Sequence, residues 1–363
     1  MDEYVLLDHG SGGTRTAELV ERVFRSRFTC EALRAQTDAA VLPPAEPAGD
    51  RIALTTDAHA VKPLFFPGGD IGALAVAGTV NDLAVSGARP LYLTASFIIE
   101  EGFPVADLER IADSMAGTAR AAGVEIVAGD TKVTERGDCD GLYITTSGLG
   151  VVPREREGIA EGRGIRPGDR VLVSAPLAAH GAAILCARNE LQTESPVRSD
   201  CAPLGKLIES VLAGAGGVRF IRDATRGGAA TVLCEIAERR GLDVLLEEEA
   251  IPVAEQVRGV CEMFGFDPLY LAGEGVAVMI VAPERAERAL SVMRGFREGR
   301  DAADIGVVQS AAGAPEVGRV PEAGDGDAPS AGPGQVSRVV IHTAVGGRRL
   351  LRRHVGAQVP RIC

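Results

Sequence analysis

Along this chain, short runs of β-forming apolar residues alternate with helix-period segments, and the alternation is interrupted once, by a charged, glycine-rich passage over residues 154–166. That pattern constrains the fold more than any other feature. Each apolar strand must be covered by the helix that follows it, so every set of alternations builds one layered α/β unit. Before the break, residues 51–55, 91–99, 124–128 and 141–147 read as strands, and 70–84 and 106–122 as helices. In the second helix Leu108, Ile111, Met115 and Ala119 recur at three- and four-residue steps and define one apolar face. After the break, strands are expected at 170–174, 218–221, 243–247, 276–281, 304–308 and 338–343, with helices at 178–189, 201–212, 227–239, 254–264 and 283–294. The expected architecture is α+β: two α/β domains, 1–153 and 165–345, followed by a flexible tail, 346–363. The length of 363 residues suits two cores of ordinary size. Residues 310–335, rich in Ala, Gly and Pro without periodicity, read as a disordered surface insertion.

Composition narrows the function. Apolar residues make up 46% and charged residues 24%, ordinary for a globular protein. No apolar run approaches the ~20 residues needed to cross a bilayer, and the Met1-Asp2-Glu3 start lacks the basic region of a signal peptide, so no membrane partner and a cytoplasmic location are expected. Seven cysteines, an odd number without framework spacing or a CxxC pair, fit reduced thiols and argue against zinc. The net charge of −12 disfavours nucleic acid. From Ser337 onward, however, the chain has six arginines and no acid, so a basic tail follows an acidic body. Such a tail is either a solvated end or a segment attracted to an acidic or phosphate-bearing cleft.

Five acids stand at the ends of apolar runs or beside glycine: Asp57, Asp82, Asp130, Asp223 and Glu274. One such acid is commonly a turn former or a helix cap. Several at strand ends suggest coordination of a hard cation such as magnesium, which takes a few carboxylates and keeps water and phosphate oxygens. Asp82 is the sharpest case, because it lies in an apolar helix where an unpaired acid would be costly. Two glycine-rich turns, HGSGG at 9–13 and DATRGG at 223–228, lead into helices and could present amides to phosphate. No Walker GxxxxGK[ST], GxGxxG or kinase catalytic loop is present. Lys132, two residues after Asp130, could neutralise phosphate or make a surface ion pair. His9 and His59 are more simply satisfied polar residues than catalytic ones.

The last residue, Cys363, ends the segment Pro360-Arg361-Ile362-Cys363, and a thiol at a free end can be carried about. From Leu351 to Cys363 is twelve residues, about 40 Å when extended at ~3.3–3.6 Å per residue.

At these residues the chain resembles hydrogenase maturation factors of the HypE type, within the superfamily of aminoimidazole ribonucleotide synthetase, selenophosphate synthetase and thiamine-phosphate kinase. The matching stretches are HGSGG at 9–13, DAHAVKPLFFPGGDIG at 57–72, GTVNDLAVSGA at 78–88, AGDTKV at 128–133, DATRGG at 223–228, DPLYLAGEG at 267–275 and the terminal PRIC. The chain departs from the family pattern at Ala224, where proline is common, at Gly273, where asparagine is common, and in the insertion at 310–335. The resemblance implies the aminoimidazole ribonucleotide synthetase-like fold, a homodimer through the first domains, and ATP-dependent dehydration of a carboxamide carried on Cys363 to a thiocyanate. It implies that Asp57, Asp82, Asp130 and Asp223 hold Mg2+ and phosphates, that Glu274 accepts a proton, and that Lys132 stabilises the transferring phosphoryl group. Gly12, Gly13, Lys62, Thr225 and Arg226 are the further residues expected at the nucleotide. The implied partners are the carbamoyltransferase HypF and the HypC–HypD iron-cofactor assembly complex. A kinase of a free small molecule would need no tail, a selenophosphate synthetase would need a reactive N-terminal Cys/Lys pair that is not seen, and a non-catalytic scaffold would use the basic tail only for docking.

Overall fold

The computed structural model describes residues 14–19, 21, 37, 39–42, 49–191, 196–311, 337–353 and 362–363. Gly12, Gly13 and His9, the 312–335 part of the proposed insertion, and residues 354–361 of the tail lie outside them.

The first unit runs α1 (Thr14–Leu19), β1 (Ala40–Leu42), β2 (Arg51–His59), β3 (Phe65–Phe66), β4 (Gly69–Asp70), α2 (Ile71–Val85), β5 (Arg89–Glu100), α3 (Val105–Ala122), β6 (Glu125–Thr134) and β7 (Leu142–Val152). Its sheet has the order β1-β2-β7-β5-β6. Only β5 and β6 are parallel, because α3 provides the crossover between them. Ile111, Met115 and Ala119 of α3 are buried, as the periodicity requires, and Leu108 packs against the same core. Gly123, at φ 79°, ends the helix in the left-handed conformation that glycine adopts without steric cost.

Helix α2 has no polar face: thirteen of its fifteen residues are buried. It packs against β2, β7 and α3 of its own unit and against elements of the second, which is the environment an all-round apolar helix requires. Asp70 caps it, accepting from the backbone N–H groups of Gly72 and Ala73 at 2.8 and 2.9 Å.

The second unit comprises β8 (Arg170–Val173), α4 (Ala179–Arg188), α5 (Gly205–Gly214), β9 (Val218–Asp223), α6 (Gly228–Arg240), β10 (Leu242–Glu247), α7 (Glu255–Phe264), β11 (Ala277–Val281), α8 (Ala286–Arg294), β12 (Ala303–Ser310), β13 (Val339–His342) and β14 (Arg348–Leu351). Its sheet order is β14-β13-β10-β12-β8-β11-β9, with β10 and β13 parallel. No described helix is long and apolar enough to cross a membrane.

Three expectations change. The strands expected at 51–55 and 124–128 continue to His59 and Thr134, so Asp57 and Asp130 lie inside strands and not at their ends; β2 stays in register with β7 as far as His59 opposite Ile144. The tail does not loosen at 346: Arg348–Leu351 pairs antiparallel with β13, and Leu351 is buried. The tail's positive charge is partly neutralised by the protein's own acids, with Arg349 paired to Asp267 and Arg353 to Glu235 at 2.8 Å.

Candidate active site

Two carboxylates meet where β2 faces α2. Thr55 donates through Oγ1 to Asp82 Oδ2 at 2.8 Å, so the acid in the apolar helix is compensated by a hydroxyl from the facing strand. Asp57 lies two residues further along β2, against Gly78: a Cβ there would stand 3.4 Å from both Asp57 Oδ2 and His59 Cε1. His59 is buried beside Thr146, and desolvation lowers its pKa, so it stays a neutral core histidine.

The second unit supplies Asp223, Arg226 and Glu274. Asp223 ends β9 and is buried. The chain then turns through Gly227 and Gly228, at φ 79° and 61°, into α6. A Cβ on Gly228 would lie 2.4 Å from the Leu269 carbonyl oxygen, so only glycine lets this turn approach that backbone. Thr225 anchors the turn by accepting from Gly228 N–H at 2.9 Å. Glu274, 3% exposed, sits on a loop held from two sides. Asn81 of α2 donates through Nδ2 to the Glu274 and Ala202 carbonyls at 3.2 and 3.1 Å and accepts from Leu204 N–H at 2.7 Å. Asp200 Oδ1 accepts from Glu274 N–H at 3.0 Å. A Cβ on Gly273 would come within 2.7 Å of Asp200 Oδ2, so a larger residue at this position requires the Asp200 side chain to shift.

Cys363 stands at this junction of the two units. Its main-chain carboxylate oxygen accepts from Ala60 N–H at 3.1 Å, and Ile362 before it is packed into the core. Cys363 keeps some accessible surface, yet burial pushes its thiol up to about 12; Arg226 opposes the shift, while Glu274, Asp57 and Asp223 add to it. Burial likewise holds the Glu274 carboxyl well above the usual range, reinforced by the charges of Asp223, Asp200 and Asp57 and opposed by Arg226. The Arg226 pKa is raised, first by the anionic form of Cys363 and then by Asp57, Glu274 and Asp82. The Asp200 pKa is raised to about 6 by burial, against the pull of surrounding backbone N–H groups. Glu274 Oε1 has no hydrogen-bond partner among the described residues.

Among the described residues, the Arg226 guanidinium and several carboxyl groups surround this cysteine, one of them a buried acid with an uncommitted oxygen. When ionised, such a carboxyl is a stronger base than an ordinary carboxylate and is suited to taking a proton from a group delivered on the sulfur.

The other expected site residues stand apart. Asp130 and Lys132 are exposed on β6, the edge strand. Lys62 is exposed and paired with Asp140 at 3.2 Å. Among the described residues no three His, Cys, Asp or Glu side chains are grouped as a metal site, so Asp57, Asp82, Asp130 and Asp223 do not converge as a carboxylate cage within one chain. Asn81, Asp200 and His180 are the site residues that sequence reasoning missed.

The two domains are those of the AIR synthase related proteins, whose N-terminal domain model matches residues 36–152 and whose C-terminal domain model matches 166–316. The thiamine monophosphate kinase of Aquifex aeolicus shares the fold at 18% identity and a TM-score of 0.59. Within that class, the chain is 50% identical to carbamoyl dehydratase HypE of Rhodobacter capsulatus, over 100% of this chain and 99% of the relative, and 49% identical to that of Cupriavidus necator, over 98% and 94%. A crystal structure of HypE in complex with ATP superposes with a TM-score of 0.77 at 42% identity, covering 99% of this chain and 100% of the other, and that of a HypE–HypF complex with 0.80 at 45%, covering 93% and 99%. The chain belongs to the carbamoyl dehydratase HypE family.

Proposed function

We propose that this protein dehydrates a carboxamide carried as a thioester on Cys363, using ATP, and leaves a thiocyanate that supplies the cyanide ligand for nickel–iron hydrogenase maturation. The observation that carries the reading is the docking of the chain's own terminal cysteine beside Glu274, Arg226, Asp57 and Asp223. Bound ATP would supply the γ-phosphoryl group that turns the carboxamide oxygen into a phosphate leaving group. Glu274, in its ionised form, takes one proton of the carboxamide nitrogen as the nitrile forms and the departing phosphate carries off the other, a role for Glu274 supported by its burial, raised pKa and uncommitted oxygen. Asp57, Asp82 and Asp223 offer hard oxygens, which fit Mg2+ if water and phosphate oxygens complete its shell. Arg226 balances their charge.

The seated thiol is protonated at neutral pH, hence a poor nucleophile. Loading is therefore assigned to the tail away from its seat, in a carbamoyltransferase of the HypF kind; the HypE–HypF complex among the structural relatives supports that partner. Delivery to a HypC–HypD assembly complex completes the sequence of transfers. The six described cysteines are free thiols, which supports a reducing, cytoplasmic setting. The test is mass measurement of the C-terminal peptide: after loading by the partner, addition of ATP and magnesium should make the peptide lose one water. Cys363→Ala should accept no load. Release of phosphate with a soluble substrate by Cys363→Ala would instead make the protein a small-molecule kinase.

The same reading includes a homodimer. Every residue of β6 from Glu125 to Val133 is exposed, including Ile126, Val127 and Val133, and an unpaired apolar edge strand is an association surface. A second copy covering it would bring Asp130 and Lys132 to an interface, where they could complete the phosphate site. Val127→Glu places like charges across a two-fold contact and should weaken the dimer about tenfold or more in sedimentation velocity, with dehydration falling in parallel. A wild-type protein that sediments as a monomer at working concentration contradicts this.

A further inference from the structure

The carbonyl of Ile362, the penultimate residue, accepts a hydrogen bond from His180 Nε2 at 2.6 Å. His180 is on the first turn of α4 and is fully buried. A carbonyl can only accept, so Nε2 carries the proton. Burial lowers the His180 pKa to about 4, which leaves the ring neutral and makes Nδ1 an acceptor. Ser199 Oγ, 2.8 Å from Nδ1, must donate to it, and Ser199 Oγ in turn accepts from Cys201 N–H at 3.0 Å. Ser199 is fixed to the first unit by its own N–H, which donates to Pro67 O at 2.7 Å. The Phe66 ring stands edge-on to the imidazole at 5.3 Å and closes the other side.

This chain of contacts sets one ring orientation, and the ring's only outward donor points at the chain terminus. A histidine that merely satisfied the core would bond a partner within the fold. Here the partner is a carbonyl that the proposed reaction requires to leave and return. The loop that fixes His180 also fixes the base: Ser199 orients the imidazole, and the next residue, Asp200, holds Glu274 N–H. Ala60 N–H on Cys363 O supplies the second anchor, from the first unit.

We propose that His180 is a positioning residue that seats the chain's own C-terminal Ile362–Cys363 dipeptide, donating to the Ile362 carbonyl so that the loaded sulfur returns beside Glu274 in a single orientation. The inference extends the reading above, and its first readout is independent of it. In the full-length, unloaded protein, alkylation of Cys363 by iodoacetamide, followed on the C-terminal peptide, measures how often the seat opens. Loss of one buried hydrogen bond raises the open fraction roughly 3- to 10-fold, so His180→Leu should be alkylated faster by that factor. His180→Gln, whose amide can donate to the same carbonyl, should stay near the wild-type rate. Ser199→Ala, which releases Nδ1 and lets the ring rotate, should lie between them and serves if His180→Leu does not fold.

The second readout separates loading from chemistry. After loading by the partner, His180→Leu should accept the carbamoyl group at an undiminished rate but dehydrate it several-fold more slowly, with His180→Gln restoring the difference. Unchanged Cys363 alkylation in His180→Leu and Ser199→Ala would overturn the proposal, whatever the chemistry carried on the sulfur. So would an equal loss of loading and dehydration that His180→Gln does not rescue, which is the behaviour of a purely structural histidine. If wild type shows no dehydration but the alkylation order holds, the seat stands and the proposed reaction falls.

Discussion

Replacing Glu274 with Gln should slow dehydration of the loaded tail by about 10²–10⁴-fold, the usual contribution of a general base, and at neutral pH it should make the protein more stable, not less. Both effects have one origin. Burial and the neighbouring Asp223, Asp200 and Asp57 raise the Glu274 pKa, so the folded protein keeps a proton that the unfolded chain releases. Below the ordinary carboxylate range both states are protonated and the residue is neutral with respect to pH. As pH rises past the unfolded value, the unfolded chain ionises while the folded one resists, and stability is lost until the folded value is passed. Gln has nearly the same shape and never ionises, so the variant avoids that loss. The gap between the unfolding midpoints of Glu274→Gln and wild type should therefore be clear at pH 7–8 and narrow in acid, while the single-turnover mass assay falls. A variant that dehydrates at the wild-type rate removes Glu274 from proton transfer. A gap that does not change with pH removes the electrostatic account of its cost.

Such a combination of activity and instability is expected where carboxyl groups are brought together for chemistry and not for packing. Arg226 lies near Cys363, Asp57, Glu274 and Asp82, so its positive charge is shared among the groups of the site. A bound divalent ion and its phosphates would alter that balance, which is consistent with carboxylates that find no cage among themselves.

How far the sequence was readable follows from the range of the interactions involved. Helix α3 was legible because its burial is local: the recurrence of Ile111, Met115 and Ala119 is itself the face that packs. The acids were legible as a set because each stands at the end of an apolar run or beside glycine, and the structure gathers Asp57, Asp223 and Glu274 around one cysteine, with Asp82 acting on the same Arg226. The strand ends were not, because polar residues continue β2 beyond its apolar run and β6 is exposed along nearly its whole length, with no alternation to mark where it ends. Strand β14 is only four residues, RRLL, and owes its existence to the edge that β13 offers. His180 and Asn81 were invisible for a different reason. Their partners are backbone groups 182 and 121–193 positions away, and a backbone carbonyl has no sequence signature. The role of Asp130 and Lys132 lies on an exposed edge, beyond what a single chain can reveal.

Asn81→Ala is the substitution expected to cost the most stability. The residue is 1% exposed, and its amide makes three hydrogen bonds across the seam between α2 and the second unit, donating to the Ala202 and Glu274 carbonyls and accepting from Leu204 N–H. Truncation leaves all three backbone groups buried without that partner, at about 1–3 kcal/mol each before relaxation, so a total near 3 kcal/mol or more is reasonable. The consequence reaches the chemistry, because the Glu274 carbonyl is one of the three. Without Asn81 the loop is held on the Asp200 side alone, through Glu274 N–H. Denaturant unfolding should show a clear drop in midpoint, and the surviving folded protein should dehydrate its loaded tail more slowly while still accepting the load. Asn81→Asp separates the two functions of the amide: it keeps the acceptor for Leu204 N–H but turns the donor toward Ala202 and Glu274 into an anion facing two carbonyl oxygens. It should therefore be at least as damaging as Ala. If Asp were tolerated, the seam would not depend on the two donated bonds, and α2 would hold the second unit by apolar packing alone.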